Sequence, residues 1–103
     1  MFKDLDPMLH SQQRLAIVSL LIPVEEADFV FLKEKTGATA GNLSTHIDKL
    51  SEAGYIEVSK SINGKRPRTT CRITAKGIDA FENYVHDLQD YIRLKVTDDV
   101  DGE

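Results

Sequence analysis

Apolar residues recur at spacings of three and four in the first and last thirds of the chain, a pattern typical of helices that bury one face. Ser11 is a favourable N-cap for the first of these helices, which we expect to end near Pro23. Its apolar positions form two adjacent rows and predict a wide buried face: Leu15, Val18 and Ile22, with Ile17 and Leu21 in the row of Arg14.

Two shorter helices are predicted from the signals at their ends. The second helix runs from about Glu25 to Lys35, because acidic residues crowd its first turn, lysines occupy its last turn, and Gly37 can end it. The third helix begins after Thr39, its expected N-cap, and stops at Gly54. One apolar stripe follows the third helix: Leu43, Ile47 and Leu50.

A β-hairpin is predicted after the third helix. Apolar and polar residues alternate in "YIEVSK", residues 55–60, and in "TTCRIT", residues 69–74, with the period of half-buried strands. Asn63 and Gly64 tolerate positive φ and predict the turn within the intervening "SINGKRPR". Because proline has no N–H to donate, we expect Pro67 in the loop or on a sheet edge.

Thr74 is the expected N-cap of a last helix, residues 75–94. The predicted order is helix, helix, short turn, helix, hairpin and helix. It indicates a mainly α fold with a small β-hairpin (α+β), a winged helix-turn-helix. We expect residues 1–94 to form one winged-helix domain and residues 95–103 an acidic, disordered tail.

Composition is that of an ordinary globular domain, with 41 % hydrophobic and 29 % charged residues. No apolar run approaches the roughly 20 residues needed to cross a bilayer, and the N-terminus lacks the order of a secretory signal. The chain has one cysteine, Cys71, so it cannot form an internal disulfide. These features predict a cytoplasmic protein without a membrane partner.

Charge is distributed unevenly along the chain, whose formal net charge is −4. Six of the 13 basic residues fall between Lys60 and Lys76, and none of the 17 acidic residues does. Four acidic residues lie instead in the last six positions, "DDVDGE". A compact positive segment on a negative body favours a polyanion that approaches from one side.

The third helix and the basic hairpin are the expected DNA-binding surface. A B-DNA major groove is about 12 Å wide and admits one α-helix, which needs small polar residues at its N-terminal half to approach the bases. The third helix offers such residues outward: Thr39, Ala40, Gly41, Asn42, Ser44 and Thr45. Lys49, one turn beyond Thr45, would reach a phosphate. Hairpin residues would contact the backbone or the minor groove: Lys60, Asn63, Lys65, Arg66 and Arg68.

Four segments together resemble the winged-helix transcriptional regulators related to the MarR and ArsR groups, above all a short subfamily of stand-alone DNA-binding domains. They are "NLSTHIDKL" in the recognition helix, "EAGYI" at the first strand, "GKRPRT" at the wing and "RITAKG" at the next helix. The resemblance covers about residues 5 to 92. It implies a homodimer with the first and last helices at the interface, which the excess apolar length of the last helix also favours. The expected interface residues are Leu15, Phe81, Tyr84, Val85, Leu88, Tyr91 and Ile92.

The histidines and the cysteine are further candidate site residues, and His46 allows two interpretations. His46 lies beside the apolar stripe, so it either packs half-buried against the second helix or contacts DNA. His10 and His86 have no ligand-like spacing with Cys71, which argues against a metal site, and Cys71 points toward the core in its strand. No nucleophile–base–orienter set is visible, so we expect neither an enzyme nor a cofactor.

The sequence thus predicts a cytoplasmic homodimeric transcription regulator that binds double-stranded DNA through its third helix and wing, with an unknown small-molecule effector as a further partner. Two alternatives remain. A winged helix can serve as a protein–protein interaction module without binding DNA, and the acidic total agrees with that function. A crevice between the last helix and the core would instead suit a small-molecule or redox sensor.

Overall fold

The computed structural model describes residues 2–64 and 66–101, with side chains up to Arg93 except that of Asn63. Within these residues, four helices and a three-stranded antiparallel sheet make up the fold. In chain order the elements are α1 (Gln12–Val24), β1 (Glu26–Asp28), α2 (Phe29–Thr36), α3 (Ala40–Glu52), β2 (Ile56–Asn63), β3 (Arg66–Ile73) and α4 (Ala75–Asp101). The predicted winged helix-turn-helix is confirmed: α2 and α3 form the helix-turn-helix, and β2 and β3 form the wing.

The helix ends depend on the capping residues that the sequence predicts. Ser11 Oγ accepts from the Arg14 amide at 3.4 Å, Thr39 Oγ1 from the Asn42 amide at 3.2 Å, and Thr74 Oγ1 from the Gly77 amide at 3.0 Å. Each bond satisfies an amide that has no partner within the first helical turn. Gly37 ends α2 in the left-handed conformation, with φ of 70°.

The second helix begins later than its sequence predicts, because a short strand precedes it. Residues 26–28 form β1, which pairs antiparallel with β3 in the register Glu26↔Arg72 and Asp28↔Thr70. Asp28 then caps α2 by accepting from the Phe31 amide at 2.8 Å. The helix predicted from Glu25 is therefore wrong in its first turn, since pairing with a distant strand, invisible in local sequence, decides the conformation of these residues.

The wing is a longer ribbon than predicted. Strands β2 and β3 pair continuously from Ile56↔Ile73 to Asn63↔Arg66, so most of "SINGKRPR" is strand and not loop. Pro67 lies opposite Ile62 within this ribbon. It is tolerated because β1 pairs with β3 only at residues 70–72, which leaves β3 on an edge at position 67. Lys65, next to the turn at Gly64, lies outside the described residues.

The core is formed mainly by α1, α3 and the inner face of the sheet. Its buried residues are Leu9, Ile17, Val18, Leu21, Leu32, Ala38, Leu43, Ile47, Leu50, Ile56, Cys71, Ile73 and Tyr84. The three residues of the α3 stripe are at most 3 % exposed. Burial of that stripe fixes the rotation of α3 about its axis and so determines which side chains face solvent.

Hydroxyl groups of three tyrosines bind the segment that precedes α1. Tyr55 donates to Asp6 Oδ2 at 2.5 Å, and Tyr91 donates to the Lys3 carbonyl at 2.9 Å. Tyr84 Oη forms a hydrogen bond with His10 Nδ1 at 3.1 Å. Burial, with a smaller contribution from the bond to Asp6, raises the pKa of Tyr55 to about 12. The N-terminal segment therefore lies against α4 and the start of the sheet.

Helix α4 continues to Asp101, beyond the predicted end of the domain at residue 94. The side chains that would define the acidic tail lie outside those described, so the boundary and the disorder of residues 95–103 stay a prediction. Among the helices of the described part, none combines the length and apolar character needed to cross a bilayer.

Gly77 lies where α4 approaches the start of β2. A Cβ at this position would overlap the Tyr55 carbonyl oxygen and lie 2.9 Å from Ile73 Cδ1. Because backbone must move to admit that carbon, we expect Gly77→Ala to lower the free energy of unfolding by at least about 2 kcal/mol in urea denaturation.

Gly41 provides the matched control, since a Cβ there would meet nothing within 4 Å. Gly41→Ala should leave stability unchanged or raise it by up to about 1 kcal/mol. Equal stabilities of the two variants would contradict the close approach at Gly77.

Cys71 is fully buried in the core, as predicted, and burial raises the pKa of its thiol to about 11. The reactive thiolate is therefore scarce near neutral pH. We expect Ellman's reagent at pH 8 to modify the folded protein at least about a hundredfold more slowly than the protein in denaturant. Comparable rates would instead support a redox role for Cys71.

Candidate nucleic-acid interface

The outward side of α3 presents small polar side chains over its first two turns. Burial of Leu43, Ile47 and Leu50 turns the remaining positions to solvent. The exposed residues are Thr39, Ala40, Gly41, Asn42, Ser44, Thr45, Asp48 and Lys49. No side chain shields this surface at Gly41, where nothing lies within 4 Å of the missing Cβ. The helix could therefore approach another surface with its backbone.

Two hydroxyls on this surface have partners within α3. Thr39 Oγ1 serves as the N-cap, and Thr45 Oγ1 donates to the Gly41 carbonyl at 3.0 Å. The hydroxyl proton of Thr45 is thus already used in a hydrogen bond, but its oxygen can still accept one and its methyl group remains for apolar contact. The exposed amide of Asn42 offers both donors and an acceptor.

His46 is half-buried at the edge of this surface. Its Nδ1 lies 3.2 Å from Nη1 of Arg14, so its hydrogen-bond partner comes from α1 and not from the second helix. Burial lowers the pKa of His46, and the cations of Arg14 and Lys49 lower it further. The imidazole is therefore neutral near pH 7.

The wing carries cations on both faces of the ribbon. Because side chains alternate along a strand, Arg66, Arg68 and Arg72 share one face of β3. Lys60 lies on the other face, where Ile62 and Pro67 form the next pair toward the turn. Ile62 is 78 % exposed, so the outer part of the ribbon stands free of the core.

Strand β1 brings carboxylates to the base of the wing. Arg68 Nη2 lies 3.4 Å from Asp28 Oδ2, and Arg72 Nε lies 3.5 Å from Glu26 Oε1. Both pairs are partly exposed, so each contributes at most about 1 kcal/mol to stability. Their larger effect is electrostatic, because the two carboxylates offset two cations of residues 60–76, a segment that has no acidic residue of its own.

Two further cations of the wing have no described ionic partner. Among the described residues, Lys60 and Arg66 form no ion pair, and both are exposed. The side chains of Asn63 and Lys65, also expected to contact DNA, lie outside the described set. Arg66 lies beyond both compensated arginines, next to the turn, whereas Lys60, opposite Thr69, lies between their levels on the other face of the ribbon.

Residues expected at a dimer interface occupy three environments. Tyr84 is 5 % exposed and belongs to the core of the single chain, so almost none of its surface remains for a partner, contrary to expectation. Leu15, Phe81 and Leu88 are partly buried against that core. Val85, Tyr91 and Ile92 are 37 %, 40 % and 55 % exposed, and Tyr91 packs its ring 4.6 Å from that of Phe2.

Sequence reasoning missed the two acids of β1 and the bond between Arg14 and His46. A three-residue strand has too little alternation to be recognised, and the chain separation of the paired residues leaves no periodic signal. The position of Arg14 in a buried row, without an acidic neighbour, was the one local indication that its guanidinium needed a partner.

Cavities of the described part are shallow. One of about 200 Å³ is lined by Val24, Glu26, Ala27, Asp28 and Phe31, below the usual size of a ligand pocket. A depression along α4 is lined by residues of that helix alone and is not a crevice between helix and core. Within the described residues, no three His, Cys, Asp or Glu side chains cluster as metal ligands.

Comparison with known proteins identifies the family. A family model described as a winged helix DNA-binding domain matches residues 13–92. An uncharacterized protein of Methanocaldococcus jannaschii is 41 % identical over 81 residues, 79 % of this chain and 88 % of that protein.

Two solved structures are also similar. A transcriptional regulator homologue from Pyrococcus horikoshii is 31 % identical, with a TM-score of 0.77 over 84 % of this chain and 85 % of the other. A mutant MarR from E. coli in complex with operator DNA shares the fold at 19 % identity, with a TM-score of 0.68 over 86 % of this chain and 62 % of the other. The chain therefore belongs to the winged-helix DNA-binding domain family and has the fold of MarR-type transcriptional regulators.

Proposed function

We propose that this protein is a homodimeric transcription regulator that binds double-stranded DNA with sequence specificity, α3 entering the major groove and the wing contacting the backbone or minor groove. The observation that carries the proposal is the solvent-facing side of α3. It is exposed, small and polar, while the opposite side is anchored in the core. A recognition helix needs this combination of a narrow reading surface and a rigid attachment.

Base contacts would come from Asn42, Ser44 and Thr45. Asparagine can bond in bidentate fashion to adenine, and a threonine methyl can contact the methyl group of thymine. Thr45 is oriented for such contacts by its bond to the Gly41 carbonyl. His46 would add a ring contact and Lys49 a phosphate contact from the next turn.

Phosphate contacts would come mainly from wing cations that no carboxylate offsets. Lys60 and Arg66 are exposed cations without a described ionic partner, and Asn63 and Lys65 flank Gly64 in the sequence. Such contacts release counterions and add affinity for any duplex sequence. Arg68 and Arg72 would contribute less, because Asp28 and Glu26 already offset their charges.

Dimerisation would cover the apolar side chains that α4 leaves exposed. Val85 and Ile92 are exposed on α4. Leu88, which lies between them in the sequence, is only partly buried by its own chain. A single winged helix reads few base pairs, whereas two related by a twofold axis read half-sites about 34–36 Å apart.

A cytoplasmic regulator of this kind would be neither an enzyme nor dependent on a cofactor. An unknown small-molecule effector stays a further proposed partner, and the shallow cavities described above do not identify its site. The negative net charge of the chain also fits the alternative, a protein–protein interaction module. Retention on random duplex DNA at low salt distinguishes a DNA-binding protein from such a module.

We expect Arg66→Ala combined with Arg68→Ala to weaken binding to specific and random duplexes alike. The slope of log K against log salt should fall by about 0.9 for each lost phosphate contact. Fluorescence anisotropy over a salt series measures both quantities. An unchanged slope would remove the wing from the interface, and a wild-type protein without duplex affinity would favour the interaction module.

Two variants control for charge and identify the effect of β1. Arg93→Ala removes one cation from α4 and should leave binding unchanged. Asp28→Asn removes the carboxylate beside Arg68 while keeping a residue that caps α2 well, so duplex affinity should rise. A fall in affinity after Asp28→Asn would contradict the compensation at the base of the wing.

For the dimer, we expect Ile92→Glu to weaken self-association at least tenfold, because an uncompensated carboxylate would enter an apolar interface. Ile92 is preferable to the more buried Leu88, since 55 % of its surface is free of its own chain. Sedimentation velocity at micromolar concentration measures the change, with Ile62→Glu in the wing as the control. A monomeric wild-type protein would rule out this interface.

A further inference from the structure

One guanidinium connects the start of the chain to the recognition helix. Arg14 Nε donates to the Met8 carbonyl at 2.7 Å, and Nη2 donates to the Pro7 carbonyl at 3.4 Å. Its remaining described contact is the bond of Nη1 to His46 Nδ1 at 3.2 Å. The bonds to the two carbonyls therefore fix the guanidinium, and its third bond reaches His46 on α3.

The turn that holds Arg14 is itself well ordered by hydrogen bonds. Asp6 Oδ1 accepts from the Met8 amide at 2.8 Å, and the Asp6 carbonyl accepts from the His10 amide at 2.8 Å. The other carboxylate oxygen of Asp6 accepts from Tyr55. The carbonyls that orient Arg14 thus belong to a turn that is closed by its own hydrogen bonds and joined to Tyr55.

The chemistry of the two groups determines the tautomer of His46. Guanidinium has donors but no acceptor, so Nδ1 must accept the bond and carry no proton. A neutral imidazole then has its proton on Nε2. Burial, and after it the cations of Arg14 and Lys49, lowers the pKa of His46 and so disfavours the doubly protonated ring, which could not accept from Arg14.

Nε2 remains available for another partner. It has no hydrogen bond to a described residue, and it does not occur among the buried polar atoms that lack one, so it is in contact with solvent. His46 follows Thr45 on α3 and precedes Lys49 by less than one turn. The donor therefore adjoins the surface assigned above to the major groove.

We propose that Arg14 is a positioning residue: it holds His46 in the Nε2–H tautomer, so that α3 presents one oriented donor to a base-edge acceptor in the major groove. Guanine O6 or N7, adenine N7 and thymine O4 are the acceptors available there, whereas cytosine offers a donor. This inference rests on the proposed function and adds a specificity element whose orienting residue lies outside the interface.

The first experiment examines the protein without DNA. Long-range ¹H–¹⁵N correlation spectra of ¹⁵N-labelled protein at pH 7 should show His46 as the neutral Nε2–H tautomer, and Arg14→Lys should broaden or shift that signal. A protonated ring or the Nδ1–H tautomer in the wild-type protein would overturn the inference. This result does not depend on whether the chain binds DNA.

The second experiment measures base preference by selection on randomised duplexes, followed by anisotropy on the selected site and its single-base variants. His46→Ala should reduce discrimination at one position by about three- to tenfold, the effect of one hydrogen bond. Arg14→Gln should reduce discrimination at the same position, and the double variant should add little to either. Arg93→Gln, which removes an equal charge from α4, should preserve discrimination.

Three results would overturn the proposal while leaving a DNA-binding function intact. One is unchanged preference in His46→Ala. Another is an altered preference in His46→Ala but not in a folded Arg14 variant, with Arg14→Met, which has no donor, used if Arg14→Gln is unstable in thermal denaturation. The last is an equal loss on all sequences, which would assign the Nε2 donor to a phosphate.

Discussion

Burial of the apolar stripe of α3 against the core is the constraint on which the rest of this molecule depends. Leu43 and Leu50 are fully buried, and Ile47 nearly so, which leaves α3 a single rotational setting. In that setting Gly41, Asn42 and Thr45 face outward. The proposed reading surface is therefore a consequence of core packing, because its position is maintained by side chains on the opposite, buried side of α3.

The electrostatics of the wing depend on topology as much as on composition. Strand β1 inserts beside β3 and places Glu26 and Asp28 against Arg72 and Arg68. A run of cations that looks uniform in sequence is thus divided in space into two compensated arginines, Arg68 and Arg72, and two cations without a described ionic partner, Lys60 and Arg66. In the proposed complex, the uncompensated cations would contribute most of the phosphate contacts of the wing.

The N-terminal segment connects the two functional ends of the fold. Its polar groups bind Tyr84 and Tyr91 of α4, the helix proposed for dimerisation, and its turn at Met8 orients Arg14. Arg14 in turn contacts His46 on the recognition helix. Through these bonds, the orientation of one donor on α3 depends on a segment that also packs along α4. In the proposed dimer, a change in the packing of α4 would thereby have a direct structural route to the proposed DNA-reading surface.

Local sequence determined the elements whose stabilising interactions are themselves local. The caps at Ser11, Thr39 and Thr74 and the stripe of α3 were predictable because capping and helical periodicity involve residues within about one or two turns. The winged-helix order followed from these elements. Tertiary structure alone decided the strand at residues 26–28, the neutralisation of Arg68, the burial of Tyr84 and the partner of His46. Each depends on groups far apart in the chain, and their proximity arises only when the helices and the sheet pack around a common core.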